Sequence, residues 1–323
     1  MQRLSHDQYV RSRAFVAASA RPIDRALCSF VFDGGPASAV AEALAAFQTA
    51  EGGFGRALEP DFRLDDASVL ATTLGLQYAV DAGLGAHDPV VARAVAYLAR
   101  AYDPVARHWH AVPPEVNDAP HAPWWTLDPT SGRCSVEGTW ANPSAEALAY
   151  LWWYGVPTDA PLRDAVTEVA LAELATMPER LDLHDLLCYA RLAEALPADK
   201  ADVVRARLHA SLPLTVDRDP GSWVEYGAKP VTLASSPRSP FAADLGADLD
   251  ACLDFEVECV GPDGAWRPNW TWGDAYPDAW RVAEREWAGL MTVQTLRTLA
   301  AFGRVDGVAP AAVRLERAYI ASL

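Results

Sequence analysis

Apolar residues recur at helical spacing along most of this chain, and glycine or proline interrupts them at nearly every break. The pattern predicts helices over 6–20, 22–32, 36–47, 66–82, 88–102, 143–155, 161–176, 182–196, 199–211, 241–258, 281–302 and 308–322. Pro22 suits a first helical turn, and Gly34-Gly35 ends the second helix. Alanine and leucine dominate Pro36 to Phe47, and Gly52-Gly53 is the expected stop. In the helix over 66–82 the apolar residues (Val69, Leu70, Leu74, Leu76, Tyr78, Val80) keep to no single stripe, which predicts burial on most sides. The helix over 88–102 carries Arg93 and Arg100 on one face and reads as a half-exposed outer partner. FEVECV at 255–260 alternates, but six residues do not make a sheet, so the expected class is all-α.

Three long stretches break this pattern: 103–142, 212–240 and 261–280. They are rich in proline and tryptophan. Long loops in compact domains are functional or disordered, and tryptophan argues against disorder. One glycine–aromatic–loop–helix unit occurs three times. It reads Gly53-Phe54-Gly55 with Glu59-Pro60-Asp61, then Gly138-Thr139-Trp140 with Asn142-Pro143, then Gly264-Ala265-Trp266 with Pro268-Asn269-Trp270. Gly221-Ser222-Trp223 is a weaker fourth copy. Irregular spacing rules out a strict array. Glycine permits the sharp turn, and the ring packs between neighbouring helical hairpins.

Composition narrows the partners. The net charge is -16, with only two lysines, Lys200 and Lys229. Such a surface repels phosphate backbones, so nucleic acid is not an expected partner. No stretch approaches the roughly 20 apolar residues of a membrane span, and MQRLSHDQYVRSR has no apolar signal core; a cytoplasmic protein is the default expectation. Five scattered cysteines suggest neither a disulfide framework nor a zinc knuckle. Serine-nucleophile, phosphate-loop and dinucleotide motifs are missing.

QTAEGGFG, GPDGAW and WAGLMTVQTLRTLAAFGR resemble the repeat of protein prenyltransferase β subunits and squalene–hopene type cyclases. The resemblance covers roughly 40–302 in pattern, and 44–80 and 261–303 match best. It implies an α/α toroid over 1–323 as a single domain: a ring of helical hairpins, inner and outer helices, around an aromatic-lined cavity. Prenyltransferases hold zinc with an aspartate, a nearby cysteine and a later histidine. Asp250-Ala251-Cys252 could begin that pattern, but no histidine follows His209, so no metal or other cofactor is assigned. Class II cyclases protonate their substrate with D-x-D-D. The corresponding residues are Arg63, Leu64, Asp65 and Asp66, and the arginine departs from the pattern.

The candidate acids are therefore Asp65, with Asp66 as its partner, and the pair Glu59 and Asp61 across Pro60. Asp65 or Asp66 serves equally well as the N-cap of helix 66–82. Glu59 and Asp61 could also pair with Arg56 or Arg63. Trp124, Trp125, Trp140, Trp223, Tyr226, Trp270 and Trp272 are the expected cavity residues; Trp152, Trp153, Trp280 and Trp287, on helices, are assigned to packing. Aromatic faces suit a carbocation or a sugar ring, so the expected partner is a small molecule, apolar or sugar-like. His108, His110 and His121 share a loop with Asp118, and H-x-H is a possible metal pair that lacks a further clear ligand. The expected function is acid-initiated cyclisation or rearrangement of a prenyl-type substrate, with Asp61, Asp65 and Asp66 as its acid candidates. The alternatives are a carbohydrate-active hydrolase or lyase using Glu59 and Asp61 and a non-catalytic binder on the same fold.

Overall fold

The computed structural model describes residues 1–314. Among them it contains twelve α-helices and no strand. These are α1 (His6–Ser19), α2 (Pro22–Asp33), α3 (Ala37–Ala45), α4 (Val69–Asp81), α5 (Pro89–Ala101), α6 (Ala141–Tyr154), α7 (Ala160–Thr176), α8 (Leu183–Ala195), α9 (Ala198–Thr215), α10 (Pro230–Leu233), α11 (Ala242–Glu258) and α12 (Pro277–Ala301). Short α10 interrupts the stretch 212–240 expected to be irregular, and the first four residues of FEVECV close α11 as helix, with Cys259 as its C-cap. Of the helix expected over 308–322, residues 315–322 lie outside the described residues. The part that is described contains a single 3-10 turn, Pro310–Ala312.

Two local corrections concern helix ends. Ser68, not Asp65 or Asp66, caps α4: its side chain accepts from the Ala71 amide at 3.0 Å. Both aspartates lie outside the helix and are exposed. The helix α3 stops at Ala45, ahead of Gly52-Gly53. Those glycines instead shape a turn between Gln48 and Phe54, with Gly52 at φ +98°.

That turn is tied down from three sides. The Gln48 amide nitrogen donates to the carbonyls of Gly52 (2.8 Å) and Val90 (2.9 Å). Arg93 and Arg100 of α5 donate to the carbonyls of Thr49 and Glu51. Phe54 is fully buried, and its amide donates to Thr72 Oγ1 on α4 at 2.9 Å. The same amide-to-hydroxyl clamp recurs at Trp109 with Ser144 of α6 (3.0 Å) and at Trp266 with Thr292 of α12 (3.1 Å). On α6 this clamp is thus made by Trp109 and not by Trp140, which the glycine pattern marked. No glycine precedes Trp109, so the pattern could not find it.

Every residue of α4 except Leu70 is buried, as its all-round apolar surface requires. Most of α6 and α8 is buried too, whereas α5 buries one face and exposes Arg93 and Arg100. Neighbours run α3 to α4, α4 to α6, α6 to α8 and α8 to α9; α11 meets α12, and α12 returns to α1 and α2. Backbone bonds between Leu4 and Arg304 and between Asp306 and Leu4 close that return. One cluster of buried apolar side chains runs from Leu4 to Val313.

Gly75 shows how tightly α4 meets the repeat aromatic. A Cβ there would stand 2.3 Å from Cδ2 of the buried Phe54 ring. Gly75→Ala is expected to destabilise the protein by about 1–3 kcal/mol despite alanine's better helix propensity. Urea denaturation measures it, and an unchanged midpoint would show that the ring can move.

Candidate functional site

The loop 55–68 joins the glycine turn to α4 and carries Glu59-Pro60-Asp61. Gly55 permits its entry, since a Cβ there would stand 2.1 Å from the Asp66 carbonyl oxygen. The loop is then pinned to the stretch 119–123. Arg63 N donates to the Pro120 carbonyl and Ala122 N to the Asp61 carbonyl, both at 2.8 Å. Phe62 packs edge-on against Trp125 at 5.4 Å between ring centroids. Arg21 donates to the Leu58 carbonyl, and Arg63 pairs with Glu286. Neither arginine forms an ion pair with Glu59 or Asp61, although both charges are near enough to favour Glu59 ionisation.

These ties hold two carboxyl groups in a wall where water is scarce. Glu59 is 5% and Asp61 4% exposed. Asp61 Oδ1 accepts from the indole nitrogens of Trp272 (2.9 Å) and Trp287 (2.8 Å). Glu59 Oε1 accepts from the Asp61 amide at 3.1 Å. Burial pushes both acids up, and the adjacent Asp61 charge pushes Glu59 further, to about 8. Asp61 rises less, to about 6, because indole donors stabilise its anion. The Trp270 indole adds to that effect from nearby, without hydrogen-bond geometry. At neutral pH the pair therefore shares one proton, resting on Glu59.

Both carboxyls line a cavity of about 440 Å³, partly open to solvent. Leu70, Thr73, Leu74 and Gln77 of α4 form one side, and Trp124, Trp125 and Val136 another. Tyr226, Trp270 and Trp287 separate it from a second, more polar cavity of about 410 Å³. A polar patch completes the lining, with Asn142 and Glu146 from α6 and His184, Cys188 and Arg191 from α8. Glu146 pairs with Arg191 at 2.9 Å and accepts from Gln77 (2.7 Å) and Tyr150 (2.9 Å). Burial lowers His184, and its Nε2 meets the Tyr226 hydroxyl at 2.8 Å.

No family model and no curated protein matches the chain.

Of the expected site residues, Glu59, Asp61, Trp124, Trp125, Tyr226 and Trp270 come together in this cavity. Trp272 stands behind Asp61 as a donor, Trp223 lies on the second cavity, and Trp140 bonds the Arg107 carbonyl away from both. Exposed Asp65 and Asp66 are not part of the lining. Trp287, assigned above to packing, is buried but also lines the cavity and holds Asp61. Gln77, Glu146 and Arg191 also line the cavity, and no sequence motif marks them. Each is a strongly polar residue in a helix buried nearly all round, and that was the available signal. The Asp250 and Cys252 pair does not make a zinc site: Asp250 bonds Arg304 at the surface, and Cys252 is a fully buried thiol. Among the described residues no helix is long and apolar enough to cross a membrane.

Proposed function

We propose that this protein is an enzyme of α/α-toroid type in which Glu59 donates a proton to an apolar, prenyl-like substrate. The observation that carries the reading is the buried Glu59–Asp61 pair, one acid and one anion, in a tryptophan-lined cavity. The return of α12 to α1 and α2 supports the ring, and buried α4, α6 and α8 suit its inner layer. An acid held near 8 stays protonated at pH 7 but is too weak for an isolated double bond. An epoxide oxygen suits it better. Proton transfer from Glu59 opens the C–O bond, a neighbouring double bond attacks the cation, and Asp61 takes the proton lost at the end. Asp61 returns that proton to Glu59, so the reaction is an isomerisation to a cyclic alcohol. Indole faces in the lining stabilise the passing cation.

A glycosidase needs its carboxyls on opposite sides of the scissile bond. Glu59 and Asp61 lie on one wall, two residues apart, and this weighs against the carbohydrate reading. The test is incubation with epoxidised farnesyl and squalene derivatives, read by gas chromatography with mass detection. Products of unchanged mass and new retention time support the proposal. Hydrolysis of oligosaccharides, or inertness toward every epoxide and polyene offered, overturns it.

The pH profile gives a second check. Activity needs ionised Asp61 and protonated Glu59, so kcat/KM is expected to fall below about pH 6 and above about pH 8. Trp287→Phe removes one donor from the Asp61 anion and should move the acid limb up by roughly one pH unit. An unmoved limb assigns it to another group.

A further inference from the structure

We propose that His108, His110 and Glu137 form a binding site for one divalent transition metal ion of the zinc class. One donor atom from each lies within 4.8 Å of the others. All three come from the long loop between α5 and α6, and Glu137 ends a short 3-10 turn, Ser135–Glu137. His108 is 6% and Glu137 3% exposed, so two of the three donors are built into the interior, while His110 reaches solvent at 41%.

The bonds around the cluster aim its acceptors inward. His108 Nδ1 lies 3.1 Å from the Ala106 carbonyl, which takes the ring proton and leaves the lone pair on Nε2. That Nε2 is buried with no hydrogen-bond partner, and so is His110 Nδ1. Asp103 Oδ2 stands 3.6 Å from His110 Nε2 and draws the proton to that outer nitrogen. Glu137 is fixed through both oxygens: Oε1 accepts from Ala111 N at 3.0 Å, and Oε2 accepts from Cys134 N at 3.0 Å and the Cys134 thiol at 3.2 Å. Glu137 Oε1 and His110 Nδ1 then face each other at 3.7 Å. Two unpartnered imidazole nitrogens converging on a carboxylate oxygen are unfavourable alone and suit a cation. Metal–ligand bonds near 2.0–2.1 Å bring tetrahedral donors to about 3.3 Å apart, so small side-chain rotations close the set. Two imidazoles and a carboxylate favour zinc, cobalt or iron(II) over calcium or magnesium, with a position left for water on the exposed side. Arg133, exposed, approaches His108 Nδ1 at 3.4 Å and opposes the metal, but its charge is screened by solvent.

The ion would fasten a loop whose inner side is cavity wall. Val136 and Trp124 line the cavity, and the Trp124 carbonyl accepts from Ser135. The Ala111 carbonyl accepts from Leu70 at the start of α4. The test uses full-length protein stripped with a chelator and titrated with Co²⁺ and then Zn²⁺. We expect about one Co²⁺ per chain with the visible absorption of a low-coordinate site, displacement by Zn²⁺, and a higher Tm with either metal. His110→Ala, at an exposed position that folding tolerates, should weaken binding roughly 100-fold. Stoichiometry far below one, or equal binding by His110→Ala, overturns the proposal; a protonated His110 bridging the two carboxylates would give that result. No substrate enters these readouts, so they stand or fall apart from the acid chemistry.

Discussion

Glu59→Gln should abolish turnover and make the protein more stable at pH 8. The first effect follows from removing the proton donor, and general-acid catalysis contributes about 10²–10⁴-fold. The second follows from where the proton sits. Below about pH 4.3 the folded and unfolded chains both hold it, and ionisation of Glu59 is no penalty. As pH rises from there toward 8, the unfolded chain releases the proton while the fold retains it. Stability therefore declines across that window and levels off above it. Glutamine has the shape of the protonated acid and cannot ionise, so the decline should disappear. The gain at pH 8 is expected on the order of 1–3 kcal/mol, absent at pH 4. Denaturant midpoints across that range, beside turnover at pH 7, measure both effects. A Glu59 whose anion the fold stabilised would instead predict destabilisation at pH 8. A substitution that kept activity would move the acid elsewhere in the cavity.

The helices were legible because their sequence and their burial express one constraint. In α4 apolar residues on all sides meant burial on all sides, and in α5 the two arginines marked the outer face. QTAEGGFG was legible for a related reason: Gln48 bonds Gly52 and Phe54 bonds Thr72 within the unit the pattern defines, and the Gln48 bond to Val90 reaches outside it. The candidate acids were half legible. Glu59 and Asp61 stood out as carboxylates beside a proline, but Asp65 and Asp66 looked alike on paper. What separates the pairs is burial, and Asp61 is enclosed by Trp272 and Trp287, more than 200 positions away. Trp287 was assigned to packing for the same reason, since a helical tryptophan says nothing of where its N–H points. The polar patch was unread because Gln77, Glu146 and Arg191 mean little singly. They become a network only when α4, α6 and α8 are brought together.

That network supplies the largest expected loss of stability. Arg191 and Glu146 are each 5% exposed, and Arg191→Met leaves a buried carboxylate with the neutral donors Gln77 and Tyr150 and the weak Cys188 thiol at 4.0 Å. Breaking a buried pair from one side destabilises by about 3–5 kcal/mol, because the remaining charge has lost its compensation. The double substitution Glu146→Leu with Arg191→Met removes that charge as well. It should recover more than half of the loss, since two apolar groups of similar bulk can replace a buried pair at little net cost. Gln77 lines the cavity, where water can serve its amide. The arithmetic is a double-mutant cycle on urea denaturation, and a coupling of about 2 kcal/mol or more is expected. Simple additivity would mean that Glu146 is satisfied without Arg191. The pair would then be there to present a charge to the cavity and not to fasten α6 against α8. In that case the double variant should lose the sum of the two single losses, and the loss of the charges should also show as a raised KM.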